Sequence, residues 1–264
     1  AYRRQRQMCI RDRKSMKKIV VAPDSFKGSL TSAEVADAVE RGIKDVFPQC
    51  NVVKAGVADG GEGTVEAIVK AVGGDMYAAS VTDPLGRPVK AAYGIVRSGG
   101  VKTAVMEMSA ASGLPLLLPD ELNPWITSTY GTGEMISDAL NRGCRKFLVG
   151  IGGSATNDAG TGMLSALGVR FLDSRGQRLK GCGRDLESIA RIDMSSLMPA
   201  ARESEFIVAC DVNTPFCGPD GAARVFAPQK GADPQTAEAL DRGMRSFARV
   251  IAGQFQTCLL YTSP

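Results

Sequence analysis

The sequence contains no histidine among its 264 residues. Ser-His-Asp hydrolysis, Cys-His nucleophilic chemistry and histidine-ligated metal centres are thereby excluded, and proton transfer falls to carboxylates, lysine, tyrosine or cysteine. Nor is there an apolar run of about eighteen residues, the length a membrane-spanning helix needs. The N-terminal residues carry no apolar signal-peptide core, so no membrane partner and a cytoplasmic location are expected. The seven cysteines (Cys9, Cys50, Cys144, Cys182, Cys210, Cys217, Cys258) are odd in number and never spaced C-x-x-C. They read as reduced thiols rather than a disulfide framework or a zinc site. Excess positive charge is confined to one place. Residues 1–15 hold six Lys or Arg and one Asp, a local +5 within a total of +4, which leaves −1 for everything from Met16 onward. A near-neutral body offers no basic stripe, and no nucleic-acid partner is expected. The Walker motif and the protein-kinase catalytic motifs are also absent.

What is present is 44% hydrophobic content over a length that suits one large α/β domain or two smaller ones. Residues 1–15 and the last eight, TCLLYTSP, share no periodicity with their surroundings and read as non-native tails, 1–15 and 257–264, with Met16 as the natural start. Residues 17–22, KKIVVA, read as a buried parallel strand that breaks at Pro23, Asp24, Ser25, Phe26, Lys27 and Gly28. A helix follows, with Thr31 and Glu34 at capping-box spacing and Val35, Val39, Ile43 and Val46 on one face. A second unit repeats the plan: a strand over 52–58, the loop Asp59-Gly60-Gly61-Glu62-Gly63-Thr64, and a helix lined by Val65, Ile68, Val69 and Val72. Two strand–loop–helix units in succession indicate a doubly wound parallel sheet. Residues 76–82, 89–96 and 102–108 then read as an antiparallel meander, which places a domain boundary near Thr82. Beyond it come a helix over 134–140, a strand over 169–172 with a hairpin turn at 173–176, a buried strand over 206–210, and a final helix capped by Asp233 with Leu240, Met244, Phe247 and Ile251 facing inward.

The stretch 146–168, KFLVGIGGSATNDAGTGMLSALG, runs from a short buried strand through a polar glycine loop into an apolar helix. Gly150, Gly152 and Gly153 let a ligand approach the backbone, and N–H groups in such a loop ahead of a helix N-terminus suit phosphate or carboxylate. The same residues also read as a tight turn in which Asn157 or Asp158 caps a helix. Three strands end in an aspartate at the start of a loop, namely Asp24, Asp59 and Asp211. The carboxyl ends of parallel strands share one edge, where ligands of open α/β folds bind. Phosphoryl transfer from a magnesium nucleotide needs carboxylates for the metal, cations and N–H groups for the phosphoryl, and a carboxylate for the alcohol proton. Lys27 in DSFKGS and Lys230 in PQKG are glycine-flanked candidates for the cations. A competing match, Gly150-x-Gly152-x-x-Ala155 with Asp173 downstream, fits the dinucleotide fingerprint of a nicotinamide-dependent oxidoreductase. It is weakened by the polar residues that prolong the loop and by the place of Asp173 in a hairpin turn.

Five ordered blocks carry a resemblance: APDSFKGSLTSAE (22–34), ADGGEGT (58–64), TDPLGRPV (82–89), GIGGSATNDAGTGML (150–164) and CDVNTPFCGPDGAARVFAPQKGA (210–232). Together they resemble the signature blocks of the bacterial class I glycerate kinase family over residues 16–254. The resemblance implies an α/β fold in two parts: a Rossmann- or flavodoxin-like parallel-sheet domain beginning at 16–82 and incomplete here, and an inserted α/β domain over 83–256 containing the meander. It implies ATP-dependent phosphorylation of D-glycerate, typically to 2-phosphoglycerate, with Mg2+ and with small molecules as partners. Oligomeric state stays open. Within that reading Gly152, Gly153, Ser154, Thr156 and Asn157 bind the phosphates or the glycerate carboxylate, and Lys27 and Lys230 neutralise charge. Asp24, Asp59, Asp158 and Asp211 share base and metal roles, with Asp59 and Asp211 as the metal candidates, and Ser25, Gly60, Gly61 and Glu62 complete the binding set. Family members are longer, with a further C-terminal block returning to the first domain, so a truncated and inactive chain, or an anion-binding fragment, stands beside the kinase reading.

Overall fold

The structure, a computed structural model, describes residues 17–23, 29–30, 32–55, 63–210 and 212–256. The chain divides into two units, Ala1–Asp59 and Gly60–Pro264. In the first, strand β1 (Lys18–Val21), helix α1 (Ser32–Val46) and strand β2 (Asn51–Lys54) form the expected strand–helix–strand unit, with β1 and β2 parallel and Lys18 opposite Asn51. The expected burial is only partial. Val21 and Val35 are buried, but Val20 is 59% exposed and Val39 and Val46 are exposed too. A 15-residue helix spans about 22 Å, whereas a four-residue strand spans about 13 Å, so the second half of α1 overhangs the two strands. Lys54 closes the unit at the surface with ion pairs to Asp37 at 2.6 Å and Glu40 at 2.9 Å.

The second unit begins with α2 (Thr64–Val72) and the antiparallel meander β3 (Gly74–Thr82), β4 (Pro88–Ser98) and β5 (Val101–Glu107). It continues through α3 (Ser109–Ser112), α4 (Tyr130–Asn141), β6 (Lys146–Gly150), α5 (Thr161–Ala166), β7 (Arg170–Leu172), β8 (Arg191–Asp193), α6 (Pro199–Arg202), β9 (Glu205–Ala209), α7 (Ala222–Phe226) and α8 (Pro234–Phe255). The main sheet has the order β3-β4-β5-β6-β9, with β5, β6 and β9 parallel. Helix α2 packs here: Val65 and Val69 meet Val96 and Val105, and Gly94 leaves room where a side chain would overlap Val69. Its apolar face is therefore used within the second unit.

Two cores flank the site. One lies between the sheet and α4, where Tyr93, Met106, Met135, Ile136 and Phe147 are almost fully buried. The other lies under α8, where Leu240, Met244 and Phe247 join Val169, Phe171 and Leu186, while Ile251 is half-buried. Asp233 caps α8 by accepting from the Thr236 N–H at 2.6 Å, with Pro234 in the first turn, as the sequence predicts. The turn after β7 also forms, with Asp173 N–H donating to Gln177 O, although the main partner of β7 is β8.

The segment expected to be a buried strand at 206–210 is β9, an edge strand among the described residues, with Phe206 40%, Ile207 53% and Val208 55% exposed. A run of apolar residues signals a strand with two covered faces, but here Phe206 stacks on Phe147, with ring centroids 4.6 Å apart, and stays 40% exposed.

Close packing of α4 depends on two glycines. A methyl group at Gly131 would overlap the Thr82 carbonyl, and one at Gly133 would overlap the Met163 carbonyl. Gly131→Ala is therefore expected to lower stability by about 2 kcal/mol through forced separation of helix and strand. Chemical denaturation measures it; an unchanged midpoint would refute the packing argument.

Candidate active site

Strands β5, β6 and β9 run in register, so Glu107, Gly150 and Ala209 lie level and all three chains leave the sheet at one edge. The glycine loop starts there, after Gly150. Its first part is pinned to the chain after β5: Met108 N–H donates to Gly150 O, Leu114 N–H to Gly153 O and Ala155 N–H to Ser112 O, all at 2.9 Å. Gly153 adopts a left-handed φ of 69°, which glycine takes without strain, and lies beside Ser109. Among the described residues, the N–H groups of Gly152 and Gly153 donate to no protein acceptor.

The second part of the loop turns inward. Thr156, Asn157 and Asp158 are buried, and the Asn157 amide donates to Met244 Sδ at 3.3 Å. Asp158 occupies the start of α5. Its Oδ1 accepts from Gly160 N–H at 3.1 Å, and its Oδ2 accepts from Gly162 N–H at 3.2 Å, Thr129 N–H at 2.8 Å and Thr129 Oγ1 at 2.7 Å. The Thr129 hydroxyl in turn accepts from Met163 N–H at 2.9 Å. The anion at this helix start is thus the protein's own carboxylate. Burial pushes the Asp158 carboxyl up from its ordinary range, opposed by the donations from Thr129, Gly160 and Gly162.

Lys230 enters from the far side of the loop. It ends a short 3-10 helix, Pro228–Lys230, stopped by Gly231 at φ 94°, whose missing side chain lets the backbone lie on the Leu122 carbonyl. The lysine is only 7% exposed, and its Nζ donates to Ser154 Oγ at 2.7 Å and Thr156 O at 2.6 Å. An ammonium has three N–H bonds, so one donor is left for a ligand. Burial lowers its pKa to about 8, and the Asp158 charge acts in the opposite direction. The structure therefore brings Lys230 onto Ser154 and Thr156, with the more accessible Gly152 and Gly153 just ahead of Ser154 in the loop and Thr156, Asn157 and Asp158 buried after it.

Asp24, Ser25, Lys27, Asp59, Gly60, Gly61, Glu62 and Asp211 lie outside the described residues. Among the described residues no cluster of three His, Cys, Asp or Glu side chains suits a metal ion. The dinucleotide match fits poorly: α5 starts only at Thr161, and Asp173 Oδ1 accepts from Arg175 and Gln177 N–H within its own turn.

A model of the glycerate kinase family matches residues 19–261. The chain belongs to the glycerate kinase family. It is 50% identical over 233 residues to a Haemophilus influenzae protein named glycerate kinase, covering 88% of this chain and 61% of that one. To the Escherichia coli glycerate 2-kinase it is 47% identical over 234 residues, covering 89% and 61%. A crystal structure described as glycerate kinase 2, from Salmonella typhimurium LT2, superposes with a TM-score of 0.79 at 45% identity, covering 92% of this chain and 66% of that one. The chain thus spans about three-fifths of the length of the curated relatives it matches.

In this family member two signature blocks hold the frame. In TDPLGRPV, the buried Asp83 accepts from Leu85 and Arg87 N–H, and Arg87 pairs with Asp83 at 2.6 Å and Glu121 at 2.6 Å. The block that starts at Cys210 is tied to α8 by the buried Asp241, which accepts from Gly218 N–H at 2.7 Å and pairs with Arg245 at 3.1 Å. Sequence reasoning missed Thr129, Ser109 and Glu107. Glu107 is buried at the end of β5 and accepts from Val65 N–H at 3.0 Å, at the first turn of α2. The only signals for them are an acid closing an apolar strand and the hydroxyl run Thr127-Ser128-Thr129 ahead of a glycine-rich helix start.

Proposed function

We propose that the protein phosphorylates D-glycerate with ATP, at the 2-hydroxyl, giving 2-phosphoglycerate and ADP. The observation that carries this reading is the buried Lys230 ammonium turned into the glycine loop at the carboxyl edge of β5, β6 and β9, in a chain of the glycerate kinase family. The glycerate 2-kinase name of one relative supports the 2-hydroxyl as acceptor.

In the proposed reaction the substrate oxygen forms a bond to the γ-phosphorus as the bond between that phosphorus and the β,γ-bridging oxygen breaks. The hydroxyl proton passes to a carboxylate. With no histidine in the chain, that base is drawn from Asp24, Asp59 and Asp211, which end strands at loop starts. Magnesium, when bound, neutralises charge on the transferring phosphoryl group, and Asp59 and Asp211 are the residues proposed to hold it. Gly152, Gly153, Ser154 and Lys230 bind and orient an anion, Asp158 holds the loop from behind, and Lys27, Ser25, Gly60, Gly61 and Glu62 complete the proposed binding set. Among the described residues no helix is long and apolar enough to cross a membrane, and a cytoplasmic location is part of the proposal.

The test is ADP release coupled to an NADH-consuming assay, with and without D-glycerate. Glycerate-dependent release, with 2-phosphoglycerate as product by NMR, is expected. Release that ignores glycerate would refute the assignment.

A further inference from the structure

The glycine loop lies between two anions that a kinase of this kind must hold, the nucleotide phosphates and the carboxylate of the acid. We propose that the mouth formed by Gly152, Gly153, Ser154 and Lys230 takes the substrate's carboxylate and leaves the nucleotide to another part of the molecule; this rests on the hydroxy-acid kinase reading above.

The argument is one of charge and of donors left over. A nucleotide tail carries several negative charges and is held by several cations, N–H groups and a metal ion. Among the described residues the mouth offers one ammonium, that of Lys230, and the carboxylate of Asp158 acts on it from behind. Lysine and aspartate together come close to neutral, a setting that suits a single incoming negative charge and stays strongly unbalanced against three or four. The multi-amide cradle that would hold a phosphate is already filled, because the Gly160 and Gly162 N–H groups at the start of α5 point at Asp158. Gly162 is fixed in that role, since a side chain there would overlap Ser128 Oγ.

What remains open to a ligand is small. Among the described residues it consists of the successive N–H groups of Gly152 and Gly153, the Ser154 hydroxyl and the third N–H of Lys230. Two adjacent backbone donors and one ammonium match the two oxygens of a carboxylate. Ser109 is half-buried with its Cβ beside Gly153.

Calorimetric titration of the protein with D-glycerate, with D-lactate and with Mg-ADP, each alone, decides the matter. D-Lactate shares the carboxylate and 2-hydroxyl but lacks the second alcohol. Lys230→Met is expected to weaken both acids about 30-fold, the loss of a charged hydrogen bond, and to leave Mg-ADP within about threefold. Ser154→Ala, which removes no charge and one acceptor of the Lys230 ammonium, is expected to weaken the acids alone by a few-fold and guards against a Lys230 variant that does not fold. Weakened Mg-ADP binding with acid binding intact in either variant overturns the carboxylate assignment while the kinase reading stands. Lys230-dependent binding of D-lactate without turnover of D-glycerate upholds the assignment and overturns the kinase reading. A wild-type protein that binds neither acid refutes both.

Discussion

Asp158→Asn is expected to destabilise the second unit by about 3–5 kcal/mol, the range for breaking a buried charged network by removing one partner. The carboxylate takes four donations, from Thr129 N–H and Oγ1, Gly160 N–H and Gly162 N–H, in a site that is 1% exposed. Asparagine keeps the shape but replaces one acceptor oxygen with an NH2 group, which must then face a donor. At least one N–H is left buried and unpaired, and the repulsion has nowhere to relax because Gly162 packs against Ser128 and Gly181. Thr129→Val is the graded control. It removes the hydroxyl alone, leaves the backbone bond, and is expected to cost about 1–2 kcal/mol. Denaturant unfolding gives both values, and amide exchange at Gly160 and Gly162 reports the site directly. An Asp158→Asn protein within about 0.5 kcal/mol of wild type would mean that the loop is held by something else, and would return Asp158 to the pool of candidate bases.

The second large effect is a pH dependence in which stability and binding move in opposite directions. Burial lowers the Lys230 pKa to about 8 from its ordinary value of 10.5. Between those two values the unfolded chain holds a proton that the folded chain has released, so raising the pH from 8 towards 10.5 favours folding. The penalty for burying the ammonium is fully present below pH 8 and relieved above it. An anion needs that ammonium, and once the pH exceeds about 8 its affinity is expected to fall by about tenfold per pH unit. Asp158 is the buried carboxylate whose charge acts on Lys230, and replacing the lysine assigns the titration. In Lys230→Met both trends are expected to vanish. Thermal melts of the free protein and glycerate titrations at pH 7, 8 and 9 separate them; parallel changes in stability and affinity would contradict the role given to Lys230.

Much of the fold was legible because it rests on local signals. The turns Asp83–Gly86 and Ser98–Gly100 set the meander, and Asp233-Pro234 set the start of α8. What was misread depends on neighbours far along the chain. The run at 206–208 has the composition of an interior strand, yet its cover is decided by whether another strand lies beyond β9. Likewise α2 follows β2 in sequence, and only Gly94 and the valines of β4 and β5 reveal where its apolar face goes.

The candidate site divides along the same line. By itself the sequence determined the chemistry on offer: no histidine, a glycine loop after a strand, a lysine in PQKG, and ordered blocks shared with one family. These follow from residue type and local spacing, which survive without coordinates. Only the tertiary structure decided that Lys230, 76 residues from Ser154, shares a hydrogen bond with it. It also decided between the two readings of the loop at the start of α5, where Asp158 accepts the N–H groups that the sequence left open to a ligand or to a capping residue. The reason is physical. A buried charge must find partners wherever the fold brings them, and those partners, Thr129 for the aspartate and the loop for the lysine, lie too far along the chain for any local pattern to record.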